Sequence, residues 1–322
     1  MSFGHHRWPA AVRDAFEECS LSVAEVGHHH WQFYLANETT APIRARIADD
    51  WLLLKASCAE GTTPKRRMLW NLLQWNAALS GGARFALGFG EPCIQIRAEI
   101  PLIENLDLNV RIRQAYIGIG TAWSRVQSHF DRAVGKEPVD GTEPTGDLAR
   151  LCQETGWPFV EPSTGPMKID LETANEFYQA TIEQRFCQVH VQVDIAAGES
   201  ISPPCQKAFS LFLLAVSSHL RVARPTAVEA GGRFVARLEV VFDRLPGVEE
   251  LCHALSALSI GCRLAGREAA ALLEDDALAI EYLSLWRVDR GVRETAPAIG
   301  KSNQLTRARI GAAKGESVWV QR

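Results

Sequence analysis

The chain has 322 residues, 47% hydrophobic and 22% charged, the balance of a globular protein long enough to hold more than one core. No apolar run approaches the roughly 18 residues of a membrane span, and the opening MSFGHHRWPAAVRDAFEE carries acids and no hydrophobic block, so neither a transmembrane helix nor a secretory signal is expected and the cytoplasm is the expected compartment. A net charge of −4 argues against general nucleic-acid binding, although residues 287–322 hold 8 basic and 3 acidic side chains and leave −9 for the remainder.

In chain order, hydrophobic periodicity predicts a helix over 9–19, strands over 31–36, 43–47 and 51–58, and a helix over 66–79. Strands over 83–88 and 93–101 and a helix over 107–130 follow. The stretch 135–146, GKEPVDGTEPTG, is rich in Gly, Pro and acid and reads as a linker. Beyond it the order returns: helix 146–155, strands 167–172, 177–183 and 187–195, helix 203–220, strands 221–228 and 233–242, helix 248–264, then a further helix over 268–286.

The return is an internal duplication. At a shift of 140 residues Leu69, Leu72 and Leu73 fall on Phe209, Phe212 and Leu213 at helical spacing. At the same shift Ile94, Ile96, Ala98 and Ile100 fall on Phe234, Ala236, Leu238 and Val240 as the inward face of a strand. Arg97 and Glu99 then match Arg237 and Glu239 on the outward face. At 136 to 137 residues Trp31, Phe33 and Leu35 match Met167, Ile169 and Leu171, while Leu52, Leu54, Ala56 and Cys58 match Val189, Val191, Val193 and Ile195. The expected fold class is therefore α+β, two tandem α-β-β-β-α-β-β-α modules with antiparallel sheets over residues 1–134 and 147–286, with a basic tail over 287–322.

That order, with a central helix between two antiparallel groups of strands, resembles the type III secretion chaperone-like fold shared by class I secretion chaperones and YbjN-type proteins. The resemblance is topological, spans nearly the whole chain twice, and assigns no residue a role. It implies a small cytoplasmic protein without catalytic activity that pairs with itself and holds an extended segment of a protein client. The fusion of two copies and the basic extension depart from the family pattern.

One feature bears on pairing. The helix from Phe209 to Leu220 is apolar nearly all round, more than one sheet requires. Its counterpart carries Trp70 and Trp75 beside its leucine stripe. The two helices are expected to pack on each other, making the chain a covalent pseudo-dimer, monomeric or further dimerised. Candidate partner-binding residues are Trp70, Trp75, Leu211, Leu214 and, in the tail, Trp319, which with Arg290, Arg293, Lys301, Arg307, Arg309 and Lys314 would dock on an acidic surface.

Chemistry-bearing motifs are sparse. His28, His29 and His30 are weak metal candidates, since adjacent imidazoles rarely converge on one ion, and they read better as a solvated turn. Gly300-Lys301-Ser302 imitates the end of a phosphate loop but has Thr295 where the first glycine belongs, with Pro297 inside. Gly88-Phe89-Gly90 leads from strand to strand, a hairpin turn. His190, His219 and His253 lack sequence partners, and Asp49-Asp50 and Asp275-Asp276 read as solvated acid pairs. The eight cysteines, Cys19, Cys58, Cys93, Cys152, Cys187, Cys205, Cys252 and Cys262, form no CxxC pair and read as reduced thiols. No cofactor is expected. The leading expectation is a non-catalytic protein-binding adaptor or chaperone. The alternative is a small-molecule- or metal-dependent enzyme with its site between the two modules.

Overall fold

The computed structural model describes residues 7–35, 42–59, 64–88, 93–104, 106–131, 147–161, 165–172, 177–185, 188–230 and 233–291. The linker 135–146, most of the basic tail and Cys187 lie outside the described residues. The first copy comprises α1 (Trp8–Glu18), β1 (Ala24–Gly27), β2 (His30–Tyr34), β3 (Pro42–Ala48), β4 (Trp51–Ala59), α2 (Arg66–Asn76), β5 (Arg84–Leu87), β6 (Ile94–Pro101) and α3 (Leu108–Asp131). The second comprises α4 (Leu148–Glu154), β7 (Phe159–Val160), β8 (Met167–Glu172), β9 (Phe177–Arg185), β10 (Gln188–Gly198), α5 (Pro203–Ser217), β11 (Arg224–Ala230), β12 (Arg233–Phe242) and α6 (Val248–Glu274), followed by α7 (Asp276–Gly291).

The fold is α+β with two six-stranded antiparallel sheets. Their orders are β1-β2-β3-β4-β6-β5 and β7-β8-β9-β10-β12-β11, the same path traced twice. Each sheet has one strand more than expected. The additions, β1 and β7, lie at sheet edges: β1 is exposed at all four residues and β7 has only two, so neither shows the alternation by which a strand is read.

In the first copy the inward face of the sheet presents Trp31, Phe33, Ile43, Leu52, Leu54, Ile96 and Ile100, all buried. It packs under α3, and Phe16 of α1 meets Trp31 edge-on at 5.8 Å and Phe33 at 5.4 Å. Asp49 and Asp50 make the two-residue turn between β3 and β4 with φ of 51° and 58°, the doubly left-handed hairpin turn that Asp tolerates. His28 and His29 form the equivalent tip between β1 and β2, as the turn reading expected.

The expected alignment of the copies contains a slip. In the ladders Leu52 faces Ile100, while Val189, its match at 137 residues, faces Phe242. The match of Ile100 at 140 residues is Val240, which faces Val191. The two sets of matches therefore differ by two residues, a displacement that leaves inward and outward alternation intact and is invisible to a period of two.

At the C-terminal end, residues 248–274 form one helix that passes straight through Gly266, where a Cβ would lie 2.1 Å from the Tyr178 hydroxyl. The break comes instead at Asp275, whose carboxylate accepts from the backbone N–H groups of Ala277 at 2.8 Å and Leu278 at 3.1 Å and so caps α7. Both sheets belong to one compact unit that ends at Leu283.

Candidate functional site

The junction of the two copies builds the site. α2 packs against α5 and β11, and α5 against β5 and α6. This accounts for an α5 that is apolar on nearly every side. Both central helices stop three residues short of their expected ends, at Asn76 and Ser217. A helix end leaves carbonyls without partners, and here the opposite copy supplies them.

Arg84 of β5 pairs with Glu99 through its two terminal guanidinium nitrogens, and its Nε donates to Ser217 O at 3.1 Å; it also bonds Leu220 O. Arg224 of β11, 140 positions later, donates to Glu239 at 2.6 Å and 3.2 Å, to Leu79 O at 2.6 Å and to Ala83 O at 3.4 Å. The exchange continues in smaller groups. Ser217 Oγ donates to Phe85 O at 2.9 Å, and Asn76 Nδ2 donates to Pro225 O at 2.8 Å. Gly81, at φ +62°, donates its N–H to Asp243 of the second copy at 2.9 Å.

Glu99 and Glu239 lie on the outward face as expected, yet each is only 5% exposed. They sit on the polar side of each sheet, but the opposite copy covers that side near β5 and β11. Of the partner-binding candidates, Trp70, Leu211 and Leu214 are likewise buried. Trp70 is buried against Phe234 of the other copy, ring centroids 5.8 Å apart, and Leu211 and Leu214 are buried beside α2. Half-buried Trp75 meets Phe85 of its own copy in a tilted contact, ring centroids 6.1 Å apart. Trp70 and α5 take part in joining the copies, whereas the contact of Trp75 with Phe85 lies within the first copy; Trp319 lies outside the described residues.

Away from the junction, the polar face of the first sheet stays open. Its ladder sets Gln32, Arg44, Lys55, Arg97 and Arg84 side by side across five successive strands. Arg46 stands in the next row, and Arg221 reaches toward the same face from the second copy, its guanidinium 5.8 Å from the Trp51 ring. Like charges directly opposite each other on a sheet repel. Burial, with Arg84, Arg221 and Arg46 nearby, brings the Arg97 guanidinium down to about 10 although Glu99 opposes the shift. Burial, with Arg97, Arg44 and Arg46, likewise lowers the Lys55 ammonium, while Cys93 works the other way. Arg44, Arg46 and Lys55 are exposed and make no ion pair among the described residues.

The equivalent face of the second sheet is balanced. Arg237 pairs with Asp194 at 2.5 Å and Arg185 with Glu183, while Gln192 donates to Glu183 at 3.3 Å and Gln179 to Asp170 at 3.1 Å. The fold therefore does not require the basic row of the first sheet. Sequence reasoning missed both the buried arginines and the row, because a charged residue on the polar face of a strand ordinarily faces water. The signal for the arginines was nevertheless present, since Arg84 and Glu99 recur 140 residues later as Arg224 and Glu239.

The remaining candidates are dispersed. His28 and His29 stack at 3.7 Å, and His30 Nδ1 lies 2.7 Å from His28 O. No group of three or more metal-ligating side chains occurs among the described residues, and no helix there is long and apolar enough to cross a membrane. Asp275 caps a helix, and Asp276 accepts from Ser202 Oγ, which holds its carboxyl below the usual range. Burial pushes the Cys152 thiol up to about 11 and Cys58 higher still, which keeps both protonated. Between the copies a cavity of about 50 Å³ is lined by Gly81, Arg111, Phe242, Glu250 and His253 among others. Glu250 there is engaged by Arg111, by Arg244 at 3.1 Å and by the Gly247 N–H at 2.9 Å. Gly300-Lys301-Ser302 and Phe89-Gly90 lie outside the described residues.

No protein-family model matches the chain, and no curated protein matches its sequence.

Proposed function

We propose that the chain is a non-catalytic protein-binding adaptor or chaperone, a fused pseudo-dimer whose two sheets face a single partner. The observation that carries this reading is the reciprocal junction. It uses the edge strands β5 and β11, both central helices and two buried arginines to hold the copies together. What stays outside is binding surface: two polar sheet faces and the edge strands β1 and β7, which are available for strand addition or for side-chain recognition. The likeness in element order to type III secretion chaperones supports the same reading, since those proteins pair to hold an extended client. A cytoplasmic location accords with it.

The test is affinity capture with the full-length chain from native lysate, quantified by stoichiometry, alongside turnover assays against nucleotides and metals. A partner recovered near one-to-one, with no turnover, is the expected result. Turnover abolished by changing Glu250 or His253, with no captured protein, would replace this reading with an enzyme whose site is the cavity between the copies.

A further inference from the structure

We infer that the row Arg44, Lys55 and Arg97 on the first sheet, flanked by Arg46 and Arg221, is a docking site for an acidic polypeptide segment of the partner. The inference rests on the binding reading above and names the chemistry of what is bound.

Three observations converge. First, the row sets like charges on neighbouring strands, about 4.8 Å apart, which costs stability unless a counter-charge arrives. Glu99 is taken by Arg84 through two bonds and by Arg97 at 3.4 Å, and Asp49 meets Arg221 at 3.6 Å, which leaves Arg44, Arg46 and Lys55 without a carboxylate partner among the described residues. Second, on the matching face of the other copy Arg237 and Arg185 pair with acids of the same sheet, so the basic row is specific to one half of a duplicated fold. Third, the site is shaped on one side by the opposite copy: Arg97 bonds Ser218 O, and Arg221 lies over Trp51, which fixes two of the cations beside a wall while Arg44, Arg46 and Lys55 remain exposed.

The occupant follows from charge and spacing. Carboxylates three or four residues apart on a helix recur every ~5–6 Å, close to the step between strands, and arginine takes a carboxylate in a two-pronged bond. A nucleic acid suits the surroundings less well. Outside residues 287–322 the chain carries −9, so a polyanion longer than the row runs onto surface of its own sign.

The experiment measures fluorescence anisotropy of a fluorescein-labelled glutamate-rich peptide, its glutamine counterpart and a single-stranded oligonucleotide of equal charge, titrated with the full-length chain. The expected result is binding of the glutamate peptide only, weakened roughly tenfold or more in R44E/K55E and by added salt. The same binding should be unchanged in K168E on the other sheet. Both changed residues of the double variant are exposed, and an unaltered thermal midpoint confirms that the fold survives. Equal binding by R44E/K55E and wild type, no binding of the glutamate peptide by wild type, or tighter binding of the oligonucleotide would each overturn the inference. Capture from lysate separates the two levels: if R44E/K55E retains the stoichiometric partner of wild type, the row is not the docking site and the adaptor reading stands. If wild type binds the peptide yet captures no protein, the adaptor reading fails.

Discussion

Arg84 and Arg224 do one job from opposite sides of the molecule. Each is buried, each pairs with a glutamate on its own sheet, and each bonds backbone carbonyls that follow the central helix of the other copy. An interface between identical subunits would have this reciprocity. Here one chain contains it.

Removing one partner of a buried ion pair leaves the other charge short of its counter-ion, and Glu99 would keep only Arg97 at 3.4 Å. Arg84→Met is therefore expected to lower stability by about 3–5 kcal/mol, measured by urea denaturation. Arg84→Met with Glu99→Leu should recover part of the loss. It should not recover all of it, because Leu220 O and Ser217 O still lack the donor they had.

Gly81 and Gly82 provide a matched comparison. Both have left-handed backbone, at φ +62° and +69°, but a Cβ on Gly81 would lie 2.0 Å from Gln114 O while one on Gly82 meets nothing within 4 Å. Gly82→Ala is expected to cost roughly 1–2 kcal/mol from conformation alone. Gly81→Ala should cost clearly more, because α3 must also move away. Thermal midpoints of the two variants, side by side, check the order.

The helix pairing makes its own demand. Leu214 is fully buried in α5, so Leu214→Asp places a charge where no partner waits and should prevent stable folding. Trp70→Ala removes the side chain that meets Phe234 and is expected to cost ~3–5 kcal/mol. Circular dichroism of the purified variants and their denaturant midpoints report both.

Acid should weaken the fold. Burial is the main cause lowering the imidazolium pKa of His190, His219 and His253 in the native protein, with Arg97 adding to it at His219 and nearby glutamates opposing it at His190 and His253. A depressed folded-state pKa means that the unfolded chain takes up protons first as pH falls below the ordinary histidine value near 6.5. The contribution of the neutral imidazoles is thus fully present above about 6.5 and lost below it. Urea midpoints measured from neutral pH down through this window should fall, and His190→Gln should flatten the profile.

Much of this architecture was legible in the residues. The duplication, the sheet-helix-sheet order and the pairing of the central helices all follow from apolar periodicity, because burial imposes a period of two or of 3.6 on whatever lies against a core. What escaped has three physical causes. Edge strands such as β1 are not half-buried and so carry no alternation. A two-residue slip preserves alternation and so hides in it. A buried arginine such as Arg84 looks like a surface residue until the fold brings Glu99 and Leu220 O to it. The basic row was hidden for a related reason: Arg44, Lys55 and Arg97 lie far apart in sequence and become neighbours only through strand pairing.

The central claim is that the duplicated halves form one body. Equilibrium urea unfolding of the full-length chain tests it directly, followed both by tryptophan fluorescence and by far-ultraviolet circular dichroism. Trp8, Trp31, Trp51, Trp70, Trp75 and Trp123 all belong to the first copy, so fluorescence reports mainly on that half while dichroism reports on both. A single transition with coincident midpoints by both probes is the predicted result, and both midpoints should shift together in Arg224→Met. Two separated transitions, with fluorescence unaffected by Arg224→Met, would contradict the account.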